Sequence, residues 1–269
     1  MVQVTTTDRR SALCAGAGLA AAGALATACS SKGAAAHPGD PARAPDTSDS
    51  RAASPTPSAR PAPAPRHFPG QPVQIEHGPR TRPRVALTFH GQGDPGIARS
   101  VLDEAERGGA RVTVLAVGSW LDEHPEMARR VLDGGHDLGN HTLRHLDINA
   151  MSEADAYAEI RGCADRLRRL TGSVGTWFRP SRTLHATPLV ERVARRAGYP
   201  HVLSYDVDSL DFTSPGAATV TRKVMGEVRA GSVVSLHFGY ADTVAALPAV
   251  LHELDRRGLR AVTTTELLS

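Results

Sequence analysis

The chain has 269 residues, a formal net charge of +3 at pH 7 and only 4% aromatic residues. Its basic residues form no stripe and do not alternate with aromatic residues, so we expect no nucleic-acid partner. Cys14 and Cys29 lie near the amino terminus and Cys163 stands alone in a helical pattern, which excludes a disulfide-stabilised domain.

Residues 1–29 are predicted to be an export signal. Arg9 and Arg10 precede a weakly apolar stretch of Ala, Gly and Leu, a pattern typical of twin-arginine signals. This stretch is too short and too rich in small residues for a permanent membrane span. The segment "LATAC" resembles a lipoprotein processing site with Cys29 as the lipidated residue; cleavage near Ala28 is the alternative. We therefore expect an exported protein, lipid-anchored on the outer face of the cytoplasmic membrane or otherwise secreted.

Residues 30–78 are predicted to be a disordered linker. They are rich in Ala, Pro and Ser and contain almost no large apolar side chains, so they bury too little surface to offset the entropy of ordering. Residues 79–269 are long enough for one folded domain with its own core, and we expect it to be a monomer.

From residue 84, short apolar runs alternate with amphipathic stretches of helical length. The predicted strands are "RVALTF", "RVTVLAV", "HDLGNH", "GTWFR", "HVLSYDV", "SVVSLHF" and "LRAVTT". The predicted helices cover residues 97–107, 120–132, 153–170, 188–197, 217–228 and 244–257. This alternation predicts an α/β fold with a parallel sheet covered by helices. Seven strands suit a closed or nearly closed barrel; an open doubly wound sheet is the alternative, although "HGQGDPG" lacks the spacing of a phosphate loop.

Polar residues follow five of the predicted strands, at the end where a β/α barrel carries its chemistry. They are His90, Asn140 with His141 and His145, Arg179, Asp206 with Asp208 and Asp211, and His237. Because His141 and His145 are four residues apart, a helical turn would place both imidazoles on one side. Such a pair suits a divalent metal such as zinc.

The motifs and their order resemble those of polysaccharide deacetylases of the NodB-homology type, carbohydrate esterase family four. The resemblance covers about residues 82–268 and rests on "LTF", "VGSWLDEHPEMARRVLDGGHDLGNHTLRH", "FRP", "VDSLDF", "VVSLHF" and "LPAVLHELDRRGLRAVTTTELL". It implies a distorted (β/α)7-type barrel, one divalent metal, with zinc the expected ion, and removal of acetyl groups from N-acetylated amino sugars of an envelope polysaccharide. A catalytically inactive carbohydrate-binding or scaffold domain of the same fold is the alternative.

The resemblance also implies roles for individual residues. His141 and His145 would be metal ligands, and Arg179 would orient the catalytic base. Asp211 would hold His237 in the required tautomer. His237 would be the general acid that protonates the leaving amine, a role that suits an imidazole near neutral pH.

The first motif departs from the family pattern Thr-Phe-Asp-Asp-Gly, because His90 and Gly91 replace the two acids. In one account, His90 is the third metal ligand and Asp94 the base. In a second, His90 is the base and the metal is held by the other two histidines, with or without Asp94. In a third, the domain only binds sugar. Gly91 and Gly93 would permit a close approach of Asp94.

The third motif departs as well, since Ser181, Arg182 and Thr183 replace the family's Pro-Tyr-Gly. We expect Ser181, Arg182 and Asp208 to contact the substrate, with the backbone N–H of Arg182 at the oxyanion position.

Overall fold

A computed structural model of the chain describes residues 62–269. The predicted export signal at residues 1–29, including Cys29, and the predicted linker up to residue 61 lie outside the described residues. In residues 62–269, no helix combines the length and the apolar character that crossing a membrane requires.

The described chain contains eight short strands and eight α-helices, which are interspersed along its length. The strands are β1 Gln74–Ile75, β2 Arg84–Gly91, β3 Thr113–Ala116, β4 Asp137–Asn140, β5 Val202–Leu203, β6 Val207–Asp208, β7 Val233–His237 and β8 Arg260–Val262. The helices are α1 Pro95–Arg107, α2 Gly118–Glu123, α3 Glu126–Asp133, α4 Glu153–Thr171, α5 Pro188–Arg196, α6 Ala217–Glu227, α7 Ala241–Arg256 and α8 Thr264–Leu268. The α/β fold with a parallel sheet is therefore confirmed.

Strand β2 is the centre of the sheet, whose order is β4-β3-β2-β7-β6 with all pairs parallel. Strand β8 pairs with the first residues of β2. Beyond β4, only the single residue Phe178 bridges Asn140 on one side and Val202 of β5 on the other. The sheet thus curves into a distorted barrel of the predicted type.

Two predicted elements differ from the structure for local reasons. The run "GTWFR" is not a regular strand: Gly175 has φ 87° and Pro180, which has no N–H to donate, follows two residues after Phe178. The predicted helix over residues 120–132 is two helices, α2 and α3, because Pro125 disfavours a helical conformation at the residue before it.

The predicted linker boundary at residue 78 was wrong for residues 62–78, here called the amino-terminal strap. Phe68 is buried and stacks on Trp177 with ring centroids 5.3 Å apart. Its backbone N–H donates to Nε2 of His201 at 3.0 Å, and strand β1 pairs with β5. The overall hydrophobicity of the segment is low, but its few apolar residues contact residues more than 100 positions away in the sequence. Composition alone does not predict such contacts.

Successive side chains of β2 point to opposite faces of the sheet, and this alternation determines the position of His90. Val85, Leu87 and Phe89 are buried in the main core cluster, with residues of α1 and α7, whereas Ala86 belongs to a second cluster. Each large apolar side chain buried in this way contributes roughly 1.5–3 kcal/mol. Since successive side chains of a strand point to opposite faces, His90 lies on the same face as Ala86, at the carboxyl end of the strand.

Candidate active site

His90 lies between two other imidazoles and is itself buried. Its Nδ1 is 2.8 Å from Nε2 of His141, and the two rings meet edge to face with centroids 4.4 Å apart. On the other side, the ring of His90 stacks on His237 with a centroid distance of 4.3 Å and an interplanar angle of 22°. Strand pairing explains the second contact, since His90 of β2 is in register with His237 of β7.

The loop after β4 brings His141 and His145 to one side of the site, but not through the predicted helical turn. Thr142 has φ 68° and His145 has φ 55°, so the backbone passes twice through the left-handed region. The two rings are nevertheless 4.8 Å apart. One nitrogen each from His90, His141 and His145 lies within 4.8 Å of the others.

Hydrogen bonds hold this loop in its unusual conformation. The Asn140 side-chain carbonyl accepts the Thr142 N–H at 2.8 Å. Glu159 of α4 is buried and accepts the backbone N–H of Arg144 at 2.8 Å and its Nε–H at 2.6 Å. Glu159 was missed by the sequence reasoning, although an acid on the otherwise apolar face of α4 was a signal that could have identified it.

The structure does not bring Ser181 to the substrate side. Its hydroxyl accepts from Thr142 Oγ1 at 3.0 Å and donates to the carbonyl of Leu146, and the residue is buried. Ser181 therefore supports the histidine loop.

His237 and Asp211 form the expected pair. Nδ1 of His237 lies 2.7 Å from Oδ1 of Asp211, and its backbone N–H donates to Oδ2 at 2.8 Å. Thr243 Oγ1 donates to the same Oδ2 at 2.6 Å. Asp211 is fully buried, and a carboxylate held by three donors fixes the orientation of the imidazole. The Nε2 of His237 is then left for the cleft.

Arg179 lies against His90, and no carboxylate of residues 62–269 forms an ion pair with it. Its guanidinium donates to the carbonyls of Leu203 at 3.2 Å and Ser204 at 2.9 Å, and Nη1 is 3.4 Å from Nε2 of His90. Burial lowers the pKa of Arg179 to about 10, so the group is still a cation at neutral pH. It faces an imidazole where the resemblance implied an aspartate.

Burial and neighbouring charge keep the three clustered imidazoles neutral. Burial is the largest cause that lowers the pKa of His90 and of His141 well below the ordinary value, and the charges of neighbouring histidines lower both further. Burial, followed by the positive charge of Arg182, lowers the pKa of His145 to about 4. Neutral imidazoles present lone pairs, as metal ligation requires.

Asp94 does not join the histidines. It is exposed and is the N-cap of α1, where its Oδ1 accepts the Ile97 N–H at 2.9 Å. The sequence "DPG" at the start of a helix favours this use, because Asp is a preferred N-cap and Pro suits the first helical turn. The proposed base or ligand role of Asp94 therefore has no support in this arrangement.

An open cleft of about 450 Å³ lies over His90, His145 and His237. Its polar rim includes Arg182 and Asp208, both predicted, and Gln92. Leu184, Tyr205, Phe212 and Tyr240 give it an apolar side; of these four, only Phe212 stood out in the sequence. Leu184 and Phe212 are 40% and 43% exposed, a surface suited to the face of a sugar ring.

The chain resembles known proteins over most of this domain. A family model described as polysaccharide deacetylase matches residues 77–202. A peptidoglycan-N-acetylglucosamine deacetylase of Bacillus cereus is 32% identical over 194 residues, which is 71% of this chain and 90% of that protein. The chain spans only 39% of the length of a matching Listeria monocytogenes deacetylase.

Solved structures agree with the fold. The Bc1960 peptidoglycan N-acetylglucosamine deacetylase aligns with a TM-score of 0.68 at 25% identity, over 72% of this chain and 92% of that one. BA3943 of Bacillus anthracis, described as a CE4 family pseudoenzyme, aligns with a TM-score of 0.70 at 21% identity, over 74% of this chain and 70% of that one. The sequence identity, the family model and the shared barrel together make the chain a member of the polysaccharide deacetylase family, carbohydrate esterase family four, with a NodB-homology domain.

Proposed function

We propose that the chain is a metal-dependent hydrolase that removes acetyl groups from N-acetylated amino sugars of an envelope polysaccharide. The observation that supports this most directly is the position of His90. Its ring contacts His141 of the histidine cluster on one side and the carboxylate-held His237 on the other. A metal ion held by the histidine cluster could polarise the acetyl carbonyl, and His237 could transfer a proton. Both groups would therefore act at neighbouring points of one cleft.

The donor set fits a zinc ion. Zinc binds imidazole nitrogens at about 2.0–2.1 Å, which places tetrahedral ligand atoms about 3.3–3.4 Å apart. In the structure, His90 Nδ1 and His141 Nε2 are 2.8 Å apart and the three ligand atoms lie within 4.8 Å of one another, so shifts on the order of 1 Å complete the site. A zinc ion held by His90, His141 and His145 would polarise the acetyl carbonyl and stabilise the charge that develops on its oxygen.

His237 is the group that can move the proton. Asp211 accepts from Nδ1, so Nε2 carries the lone pair in the neutral ring. Nε2 can take a proton from the attacking water as its oxygen bonds to the carbonyl carbon. It can then donate that proton to the nitrogen as the carbon–nitrogen bond breaks, giving acetate and a free amine. One imidazole thus serves as base and as acid, since no carboxylate stands at the first motif.

The cleft and the relatives suggest the substrate. A sugar ring has apolar faces and polar edges, which the apolar residues Leu184 and Phe212 and the polar residues Arg182 and Asp208 complement. The Bacillus cereus relative that is 32% identical is named for N-acetylglucosamine in peptidoglycan, so this glycan is the first to test. We also propose that the protein is exported, acts as a monomer and is anchored in the membrane through Cys29.

The test compares acetate release and zinc content in the full chain. Purified protein should contain about one zinc ion and release acetate from N-acetylglucosamine oligomers or peptidoglycan. His141→Ala should abolish both, whereas His237→Ala should keep the zinc and lower the rate by about 10²–10⁴. His252→Ala is the matched control, because this histidine is an exposed residue of α7. Wild-type protein that binds no zinc would overturn the proposal.

A second candidate is a sugar-binding domain without catalysis. Two observations favour it. Among the described residues, the candidate metal cluster contains three histidines and no carboxylate, and Asp94 is used as a helix cap. Zinc uptake and glycan binding without acetate release would select this candidate.

A further inference from the structure

The hydroxyl of Ser235 lies under His90 in the barrel interior. Ser235 is two residues before His237 on β7, so both side chains point to the same face of the sheet. It is 1% exposed, and its Oγ is 3.0 Å from Nε2 of His90. The proposed metal-binding and proton-transfer roles do not involve this hydroxyl.

The contacts of the two histidines define the tautomer of His90 in the absence of an ion. Nδ1 of His141 lies 3.0 Å from the carbonyl of Arg179, which can only accept, so His141 carries its proton there and its Nε2 is an acceptor. The 2.8 Å contact between this Nε2 and His90 Nδ1 then requires a proton on His90 Nδ1. A neutral His90 therefore presents its Nε2 lone pair to Ser235 and Arg179.

Ligation of a metal through His90 Nδ1 requires the other tautomer. The proton must then be on Nε2, which needs an acceptor because the ring is buried. Of the two groups that contact Nε2, the Arg179 guanidinium can only donate, whereas a serine hydroxyl both donates and accepts.

We propose that Ser235 is a positioning residue that lets His90 exchange tautomers when the metal binds. Without the ion, the Ser235 hydroxyl donates to His90 Nε2. With the ion, it accepts the Nε2 proton and fixes the imidazole with Nδ1 toward the cluster. This inference rests on the proposed metal site and assigns a partner to the one ligand that departs from the family motif. A histidine ligand whose second nitrogen is held in this way binds metal about 10–100-fold more tightly than one that is not.

Zinc affinity of the full chain, measured by competition with a chelator, tests the role of the hydroxyl. Ser235→Ala should weaken zinc binding about 10–100-fold, and Ser235→Thr, which restores a hydroxyl, should recover most of the affinity. Ser232→Ala is the matched control: this buried serine lies just before the same strand, but its hydroxyl contacts Asp206. Equal zinc affinity in wild type and Ser235→Ala would overturn the inference and leave the proposed function standing.

The tautomer itself can be read by NMR on protein with ¹⁵N-labelled histidine. The His90 proton should be on Nδ1 in the zinc-free chain and on Nε2 in the zinc-bound chain. A proton on Nε2 in both states would rule out the exchange. Absence of zinc binding in the wild type is a different result, which overturns the proposed function together with this inference.

Discussion

The imidazole of His90 stacks on the imidazole of His237, with ring centroids 4.3 Å apart. Two cations at this separation repel each other, so a proton gained by one ring opposes a proton on the other. Burial is the main cause that lowers the pKa of His90, and the charge of His237 is among the further causes. In the proposed reaction, a positive charge on His237 therefore disfavours a proton on His90, which stays neutral.

Asp211→Asn should inactivate the protein without unfolding it. The amide cannot provide the negative charge that steadies a protonated His237, and its NH₂ group cannot accept from the donors that now meet the carboxylate. We expect acetate release to fall by about 10²–10⁴, with zinc content unchanged. Asp165→Asn, at a partly exposed position of α4, is the control. Full activity in Asp211→Asn would show that His237 is not the proton-transfer group.

Stability of the zinc-free protein should fall as the pH decreases from about 7 to about 4. The pKa of His145 is about 4 in the folded chain, against an ordinary value of about 6.5, and the pKa values of His90 and His141 are lowered in the same direction. The unfolded chain thus binds more protons in this window, so stability rises with pH across it and is lost on acidification.

Urea denaturation at several pH values measures this slope, and His145→Gln should make it shallower. The exposed His252→Gln should leave it unchanged. Parallel curves for wild type and His145→Gln would contradict the prediction.

Gly93→Ala should destabilise the fold at the loops that carry His90 and His237. Gly93 has φ 105°, and a Cβ at this position would lie 2.7 Å from the Cα of Gly239. We expect the free energy of unfolding to fall by more than about 1 kcal/mol. Gly226→Ala is the contrasting control: Gly226 is helical with nothing within 4 Å of an added Cβ, and a stabilisation of roughly 0.5–1 kcal/mol is expected. Denaturant unfolding of the two variants gives both values, and opposite signs are required.

Phe68→Ala should destabilise the domain even though composition places this residue in a linker. Phe68 is 6% exposed and stacks on Trp177, so its truncation should lower the free energy of unfolding by roughly 3–5 kcal/mol. Phe212→Ala removes the same side chain at an exposed position over His237 and should instead reduce acetate release with little change in stability. Thermal and urea unfolding of the two variants measure this difference. Equal stability of Phe68→Ala and Phe212→Ala would show that the strap does not contribute to the stability of the domain.

Much of the fold and of the site could be predicted because the signals are local. Apolar runs alternating with amphipathic stretches predicted the parallel α/β barrel. His141, Arg179 and Asp211 do follow strands or bridging residues, and His237 is the last residue of β7. The strand and helix patterns require no knowledge of contacts that are distant in the chain. The pairing of His237 with Asp211, by contrast, was implied by the resemblance to the polysaccharide deacetylase family.

What could not be predicted depends on partners far apart in sequence. The amino-terminal strap is folded because Phe68 meets Trp177 and β1 meets β5. Ser235 is an ordinary polar residue in a strand until the register with β2 places it under His90. Asp94 is the opposite case. Its role as a helix cap could be predicted from the local sequence "DPG", but the absence of both acids from the first motif led us to interpret it as a base or a metal ligand.

The first residues of the amino-terminal strap pack at the end of the barrel where β4 begins. Ala62 donates its N–H to Thr171 and Pro63 accepts from Ser173, and both lie beside Asp137, where β4 begins. The polypeptide therefore joins the barrel at its base, while the histidines occupy the opposite rim. None of the residues that line the cleft over the histidines belongs to the strap, so among the described residues the strap leaves the proposed glycan site open.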